Sequence, residues 1–231
     1  MYELERHNLI IEILKKNKSI SVTKLAELLY VSLPTVRRDL SILEEQGSVV
    51  RTHGGAVLRD TENREIPLMW RESQNNSSKK IIAERASALI GNGNVIFMDA
   101  SSTVSYLVPH LERFKDIIVI TNSPKTSMKL GEAGIKNYCT GGLMLMHSVA
   151  YVGNEAESFV SNINADILFF SSRGYTDEVI TDSSVEEALV RQAMLKNAEK
   201  AYYLADSSKK GKKYMYNICY TDTVDGIITD E

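Results

Sequence analysis

No run of apolar residues in this chain approaches the roughly 18–20 that a membrane span requires. No signal peptide precedes the first helical segment, so a cytoplasmic protein is expected. Cysteine is scarce: Cys139 and Cys219 lack any paired metal spacing, which points to free, partly buried thiols in a reducing compartment. Basic charge is not in excess either, since 27 Lys and Arg face 30 Asp and Glu for a net charge of -3. The chain as a whole therefore does not attract nucleic acid, and any such role must rest on a local basic face. Catalytic and cofactor signatures are also missing. There is no nucleophile elbow, no P-loop, no paired-carboxylate motif and no metal-ligand spacing. Gly91-Asn92-Gly93-Asn94 precedes a strand and lacks the third glycine of a dinucleotide fingerprint. No cofactor and no metal are expected. What remains, 231 residues that are 43% hydrophobic and 25% charged, is the composition of a soluble globular protein of one large or two ordinary domains.

The segment 21–56 is the most informative part of the chain. Leu25, Ala26, Leu28 and Leu29 have the spacing of one buried helical face. Val31-Ser32 makes a turn, Ser32 suits the N-cap of the next helix, and Pro34 falls in the first turn, where its missing N–H costs little. Val36, Leu40 and Leu43 then share one face and go to the core. The opposite face presents Pro34, Arg38 and Ser41, flanked by Thr35 and Arg37. Arginines fork guanine in a major groove, and hydroxyls take phosphate or base edges, so this helix is expected to read DNA. Asp39 is read as a structural partner of a neighbouring basic group. Gly54-Gly55 allows a tight turn, so 49–51 and 56–58 pair as a small wing, placing Arg51 and His53 near the DNA backbone or minor groove. Residues 59–78 are polar and read as a linker. Their apolar island at 66–70 is unusual for a free tether, and Trp70 is expected to be a packing anchor on one domain or on a partner subunit.

From residue 79 onward, strand-like runs at 94–99, 117–122, 136–140, 166–171, 201–205 and 226–229 alternate with helical patterns at 78–90, 103–113, 125–133, 155–163 and 185–197. Such alternation predicts an α/β domain with a mainly parallel sheet covered by helices. Ligands of open α/β sheets bind beyond the carboxyl ends of the strands, where this sequence places polar clusters. Asp99-Ala100-Ser101-Ser102-Thr103 closes one strand and opens one helix, a suitable phosphate cradle. Thr121-Asn122 has the same strand-to-helix setting. Gly141 and Gly142 are expected where backbone approaches a ligand closely, and Asp206-Ser207-Ser208-Lys209 offers an acid for hydroxyls and a lysine for charge. Phosphate is expected on the N–H groups after Asp99, with Lys209 countering its charge and the two aspartates holding sugar hydroxyls.

The runs ERHNLIIEIL, VSLPTVRRDLSILEEQG and VVRTHGGA resemble the DeoR family of bacterial transcription regulators, and the resemblance continues through Asp99–Thr103, Thr121-Asn122, Gly141-Gly142 and Asp206–Lys209. It implies a winged helix-turn-helix domain over 1–58, a linker over 59–78 and a sugar-phosphate-sensing domain over 79–231, similar in fold to ribose-5-phosphate isomerase and the CoA-transferases. The implied protein is a homodimeric or homotetrameric repressor of a carbohydrate operon, with operator DNA and a phosphorylated sugar as partners. The chain departs from the family at Ser171-Ser172-Arg173-Gly174, where Arg173 either adds an anion contact or narrows the pocket, and in an end at Glu231 that leaves the final sheet edge in doubt. An isomerase or transferase carrying a DNA-binding domain is the alternative, with Asp99, Asp182, Glu186 and Asp206 as candidate bases.

Overall fold

The computed structural model describes residues 2–45, 48–52, 54–58 and 67–231. The chain divides into two compact units, Met1–Ser73 and Gln74–Glu231. The first comprises α1 (Glu3–Asn17), β1 (Ser19–Ser21), α2 (Val22–Leu29), α3 (Leu33–Glu45), β2 (Val49–Thr52), β3 (Gly55–Leu58) and α4 (Leu68–Ser73). Its antiparallel sheet has the order β1-β3-β2. Ser21 caps α2 by accepting the Lys24 N–H at 3.1 Å, and Ser32 caps α3 by accepting that of Thr35 at 3.3 Å. Val36, Leu40 and Leu43 are fully buried with Ile10, Leu14 and Leu25.

Three details differ from expectation. Leu28 is 47% exposed, because α2 buries only the narrow arc of Leu25 and Leu29. Gly54 does occupy the turn, at φ +104°, but Gly55 is needed for another reason. A side chain there would collide with the Ile20 carbonyl, so the glycine lets β1 pair closely with β3. Leu68–Ser73, within the stretch read as linker, is helical, and Trp70 is buried in the core of this same unit. His53 and residues 59–66 lie outside the described residues.

Asp39 has the structural role expected of it. Its carboxylate is 1% exposed and accepts from Arg6 at 2.5 and 2.8 Å and lies 3.0 Å from the His7 Nε2, joining α3 to α1. Burial pushes the Asp39 carboxyl up, but the hydrogen bonds from Arg6 and His7 outweigh that and hold it below the ordinary carboxylate value.

The second unit contains α5 (Asn76–Ser87), β4 (Val95–Met98), a 3-10 turn (Val104–Leu107), α6 (Val108–Leu111), β5 (Ile118–Thr121), α7 (Pro124–Glu132), β6 (Asn137–Cys139), β7 (Leu143–Leu145), β8 (Ala150–Val152), α8 (Asn154–Ser161), β9 (Ala165–Phe170), β10 (Gly174–Tyr175), β11 (Val179–Asp182), α9 (Val185–Lys196), β12 (Ala198–Leu204), β13 (Tyr216–Tyr220) and β14 (Gly226–Ile228). The main sheet is six-stranded and parallel throughout, in the order β14-β12-β9-β4-β5-β6. Its central strands are buried on both faces, which explains their unbroken apolar runs. Ile96, Met98, Ile167 and Phe169 face one core with Ile82 and Ala86 of α5, whereas Phe97, Leu168 and Phe170 face another with Val160 of α8 and Met194 of α9. The helix expected over 103–113 is instead a 3-10 turn followed by α6. Pro109 has no N–H for the helical ladder, and the Val108 N–H bonds Ser105 in the tighter manner. Sequence periodicity also missed the β7–β8 hairpin and the small antiparallel sheet β10-β11-β13. All four residues of β11 are buried, so it shows no alternation.

Replacing Asp39 by alanine leaves Arg6 without its partner and should destabilise the first unit by about 3 kcal/mol, the low end for a broken buried pair, as measured by urea unfolding. Because the folded pKa is lowered, this stabilisation is complete above the ordinary value of about 3.9 and is lost as pH falls through the lower folded value. The D39A variant should therefore show a shallower loss of stability on acidification than the parent.

Candidate functional site

The first unit offers an exposed basic face on α3. Pro34, Arg37 and Arg38 are exposed, while Val36 and Leu40 on the other side anchor the helix. The hydroxyls beside them already have partners. Ser32 and Thr35 lie 2.8 Å apart. Ser41 donates to the Arg37 carbonyl at 3.0 Å and accepts from Arg51 at 2.8 Å. Glu44 accepts the Arg51 N–H at 3.0 Å, so the wing strand β2 is tied to α3 through both its backbone and its side chain. Ser41 thus orients the wing, and the chemistry left for base edges is chiefly that of the two arginines.

In the second unit the chain leaves β4 toward β5 and β6 on one side and later returns to β9, β12 and β14 on the other. β4 and β9 therefore flank a topological switch point, where the loops beyond the strand ends diverge and open a crevice. Most of the polar clusters converge here. Asp99 follows β4 and Ser171 follows β9, and the Ser171 N–H donates to the Asp99 Oδ2 at 3.3 Å. Lys209, after β12, donates to the Ser171 hydroxyl at 2.6 Å and to the Thr103 hydroxyl at 3.3 Å. The N–H groups of Ser102 and Thr103 sit at the open start of the 3-10 turn, where the ladder supplies no acceptor. Ser101, Ser102 and Thr103 are nine-tenths or more buried. The result is a compact cluster of hydroxyls, amides and one ammonium.

Asp99 is not free to hold a hydroxyl as expected. Its carboxylate is 1% exposed, with Oδ1 accepting the Ser101 N–H at 3.1 Å and Oδ2 accepting Arg191 Nε at 2.7 Å. The same guanidinium donates to Asp182 at 2.9 Å and to Glu187 at 2.8 Å. Burial pushes Arg191 down, but the charges of Asp99, Asp182 and Glu187 outweigh it and raise it above its ordinary value. Asp99 is thus committed to Arg191 beneath the loop, although this one guanidinium faces three carboxylates and offsets only one of their charges. Sequence reasoning missed Arg191, although a signal was present. Glu187, Val190, Arg191 and Met194 follow the i, i+3, i+4, i+7 spacing of the inward face of α9, and a charged pair on such a face requires buried partners.

The remaining predicted positions divide. Asp206 is 3% exposed and accepts from Asn75 at 3.0 Å and from Ser208, tying the start of α5 to the loop after β12. Thr121 accepts the Ser123 N–H at 3.1 Å, and Asn122 donates to the Tyr151 carbonyl at 2.9 Å, at the end of β5. Gly141 is at φ +67° with open space around it, whereas a Cβ on Gly142 would lie 2.6 Å from the Val152 carbonyl. Gly142 therefore admits the neighbouring chain, not a ligand. Arg173 stacks on the Tyr214 ring at 4.9 Å. The buried Lys79, which donates to the Gln74 carbonyl at 2.6 Å, escaped the sequence analysis. The four carboxyls considered as catalytic bases all have donors: Asp99 and Asp182 from Arg191, Glu186 from Ser184, and Asp206 from Asn75.

A winged helix-turn-helix unit joined to an α/β unit with a polar cluster at its switch point is the make-up of a ligand-responsive transcription regulator. The DeoR-like helix-turn-helix domain family matches residues 6–62, and the DeoR C terminal sensor domain family matches residues 74–231. The chain belongs to the DeoR family. It is 35% identical to the HTH-type transcriptional regulator GolR of Listeria innocua, over 100% of this chain and 91% of that protein. The HTH-type transcriptional repressor GlcR of Bacillus subtilis is 32% identical over 100% of this chain and 89% of its own length. The lactose phosphotransferase system repressor of Staphylococcus epidermidis is 30% identical over 100% and 93%. These relatives are regulators, and this chain is a regulator with them, not an enzyme. Among solved structures, eIF2B delta from Chaetomium thermophilum shares the fold at a TM-score of 0.52, with 17% identity over 69% of this chain and 57% of that one. Likeness to ribose 5-phosphate isomerase from Plasmodium falciparum is weaker, at a TM-score of 0.43 and 17% identity over 57% of this chain and 52% of that one.

An Arg191→Met substitution strands three carboxylates around an apolar side chain and should destabilise the second unit by about 3–5 kcal/mol. Arg191→Lys should recover only part of this, since a single ammonium cannot reproduce the planar fork. Equilibrium denaturation followed by tyrosine fluorescence and circular dichroism checks both.

Proposed function

We propose that this protein represses a carbohydrate-utilisation operon and that a phosphorylated sugar or sugar alcohol sets its affinity for the operator. The observation that carries this reading is the cluster at the β4–β9 switch point. There Lys209 bridges Thr103 and Ser171 beside the open amides of Ser102 and Thr103, while the charge of Asp99 is held against Arg191. Such a site suits a phosphate and offers no available general base. The exposed Arg37 and Arg38 on α3 supply the DNA face, and Arg51, held by Ser41, supplies the wing. The names of the relatives, which include a lactose phosphotransferase system repressor, support a carbohydrate setting. One winged helix reads only a few base pairs, so operator specificity calls for a symmetric homodimer or a tetramer. No helix among the described residues is long and apolar enough to cross a membrane, and a cytoplasmic location follows from the DNA target.

Two substitutions separate the two activities. Arg38→Ala should weaken operator binding by about 1–3 kcal/mol, read by fluorescence anisotropy, with the thermal midpoint unchanged. Lys209→Ala should leave operator binding near the parent value in the absence of metabolite and abolish the response to sugar phosphates. A Lys209→Ala protein that still releases or tightens on the operator as the parent does would refute the pocket assignment.

A further inference from the structure

The end of β5 and the hairpin β7–β8 docked on it each hold a buried polar atom that the proposed phosphate cluster does not use. Asn122 is 3% exposed, and its Oδ1 has no hydrogen-bond partner among the described residues. The orientation of this amide is determined by its surroundings. The Tyr151 carbonyl can only accept, so the nitrogen faces it at 2.9 Å, and the oxygen must be the end left without a partner. The backbone adds a second tie, from the Tyr151 N–H to the Asn122 carbonyl at 2.7 Å, which docks the hairpin on the end of β5. Ser148 lies in the turn of that hairpin, between the paired residues Leu145 and Ala150. It is 0% exposed, and its Oγ also has no partner. The next residue, Val149, has φ +49°, a left-handed conformation that β-branched residues rarely adopt. An unpaired buried hydroxyl and a strained backbone thus coincide in one four-residue turn, on a hairpin whose Tyr151 is bonded to the unpaired Asn122, a combination that persists where the surroundings enforce it and that clusters at ligand clamps.

The chemistry of these atoms selects the ligand group. Asn122 Oδ1 is an acceptor and requires a donor. The dianionic phosphate that prevails above pH 7 has no O–H to supply, whereas a sugar hydroxyl has, and the same hydroxyl group is able to donate to or accept from Ser148. The position is consistent with this division. β4 pairs with β5 at Met98 and Thr121 and with β9 at Met98 and Phe169. Asn122 therefore sits about two strand spacings, on the order of 10 Å, from Ser171 and the Lys209 ammonium. That is the span of a phosphorylated sugar laid across the strand ends.

We propose that Asn122 and the turn Met146–Val149 form the hydroxyl-reading end of the effector site, with Ser148 as its specificity-determining residue. The turn moves to admit the sugar, the hydroxyls supply the partners that Asn122 and Ser148 lack, and Val149 is the position at which the backbone strain is released. This inference rests on the sugar-phosphate reading above and adds which end of the ligand is read, and by which residues.

The test is calorimetric titration of the full-length parent and the Ser148→Ala variant with ribose 5-phosphate, fructose 6-phosphate and inorganic phosphate. The parent should bind at least one of the sugar phosphates. The variant should bind it roughly tenfold more weakly, the usual net effect of losing one hydrogen bond, while inorganic phosphate binds both proteins alike. Removing an unpaired buried hydroxyl should leave the ligand-free thermal midpoint unchanged or higher, which separates loss of a binding group from damage to the fold. Equal sugar-phosphate affinity in parent and variant overturns the subsite and leaves the sensor reading intact. Failure of the parent to bind either sugar phosphate overturns both.

Discussion

The second unit depends on one buried guanidinium. Arg191 holds Asp99 at the end of β4, Asp182 at the end of β11 and Glu187 one turn earlier on α9. Charges this deep are tolerated only when paired with good geometry, and the planar fork of arginine meets three carboxylates in a way an ammonium could not. The consequence is mechanical as well as electrostatic. The loop that opens at Asp99, the edge of the small antiparallel sheet and the helix covering the main sheet are fixed to one point. The loop that opens at Asp99 is therefore built on a floor fixed by ion pairs, with the carboxylate at its start committed to Arg191.

The parallel topology determines where such a floor can lie. Because the connections leave β4 and β9 in opposite directions, the strand ends at this place alone in the main sheet open between diverging loops. Asp99, Thr103, Ser171 and Lys209 come from distant segments of the chain, Thr103 and Lys209 being 106 positions apart, and meet there. The two apolar cores on either face of the sheet hold the strands in register, with alternate residues of β4 and β9 going to opposite sides. A polar rim supported by two dry cores is suited to sensing, since a ligand that alters the rim does so against a scaffold that resists deformation.

The DNA-binding unit uses the same economy on a smaller scale. Asp39 ties α3 to α1 through Arg6 and His7, and Ser41 and Glu44 tie the wing to α3 through Arg51. Helix and wing are thus oriented by side chains on the helix itself. An effector alters operator affinity only by binding the DNA-competent and incompetent states unequally, with couplings typically of about 1–3 kcal/mol.

The sequence alone determined the six strands of the main sheet, the helices of the DNA-binding unit and the class of the protein. Strands buried on both faces are apolar without interruption, capped helices announce their first residues, and the Val36-Leu40-Leu43 stripe leaves only one face of α3 for DNA. The polar clusters at the strand ends were legible for the same local reason, since hydroxyls and glycines after a strand mark a loop. What the tertiary structure decided was what each of those residues faces. Asp99 looked like a ligand acceptor and is committed to Arg191. Gly142 looked like a place for ligand approach and makes room for the Val152 carbonyl, and Ser41 looked like a DNA contact and holds Arg51. The hairpin turn with Ser148 carried no pattern at all, because its significance lies in a missing partner. Periodicity reports which side of an element is buried, but the partner of a buried polar group comes from a distant part of the chain. Only the closed fold brings that partner into place or leaves it absent.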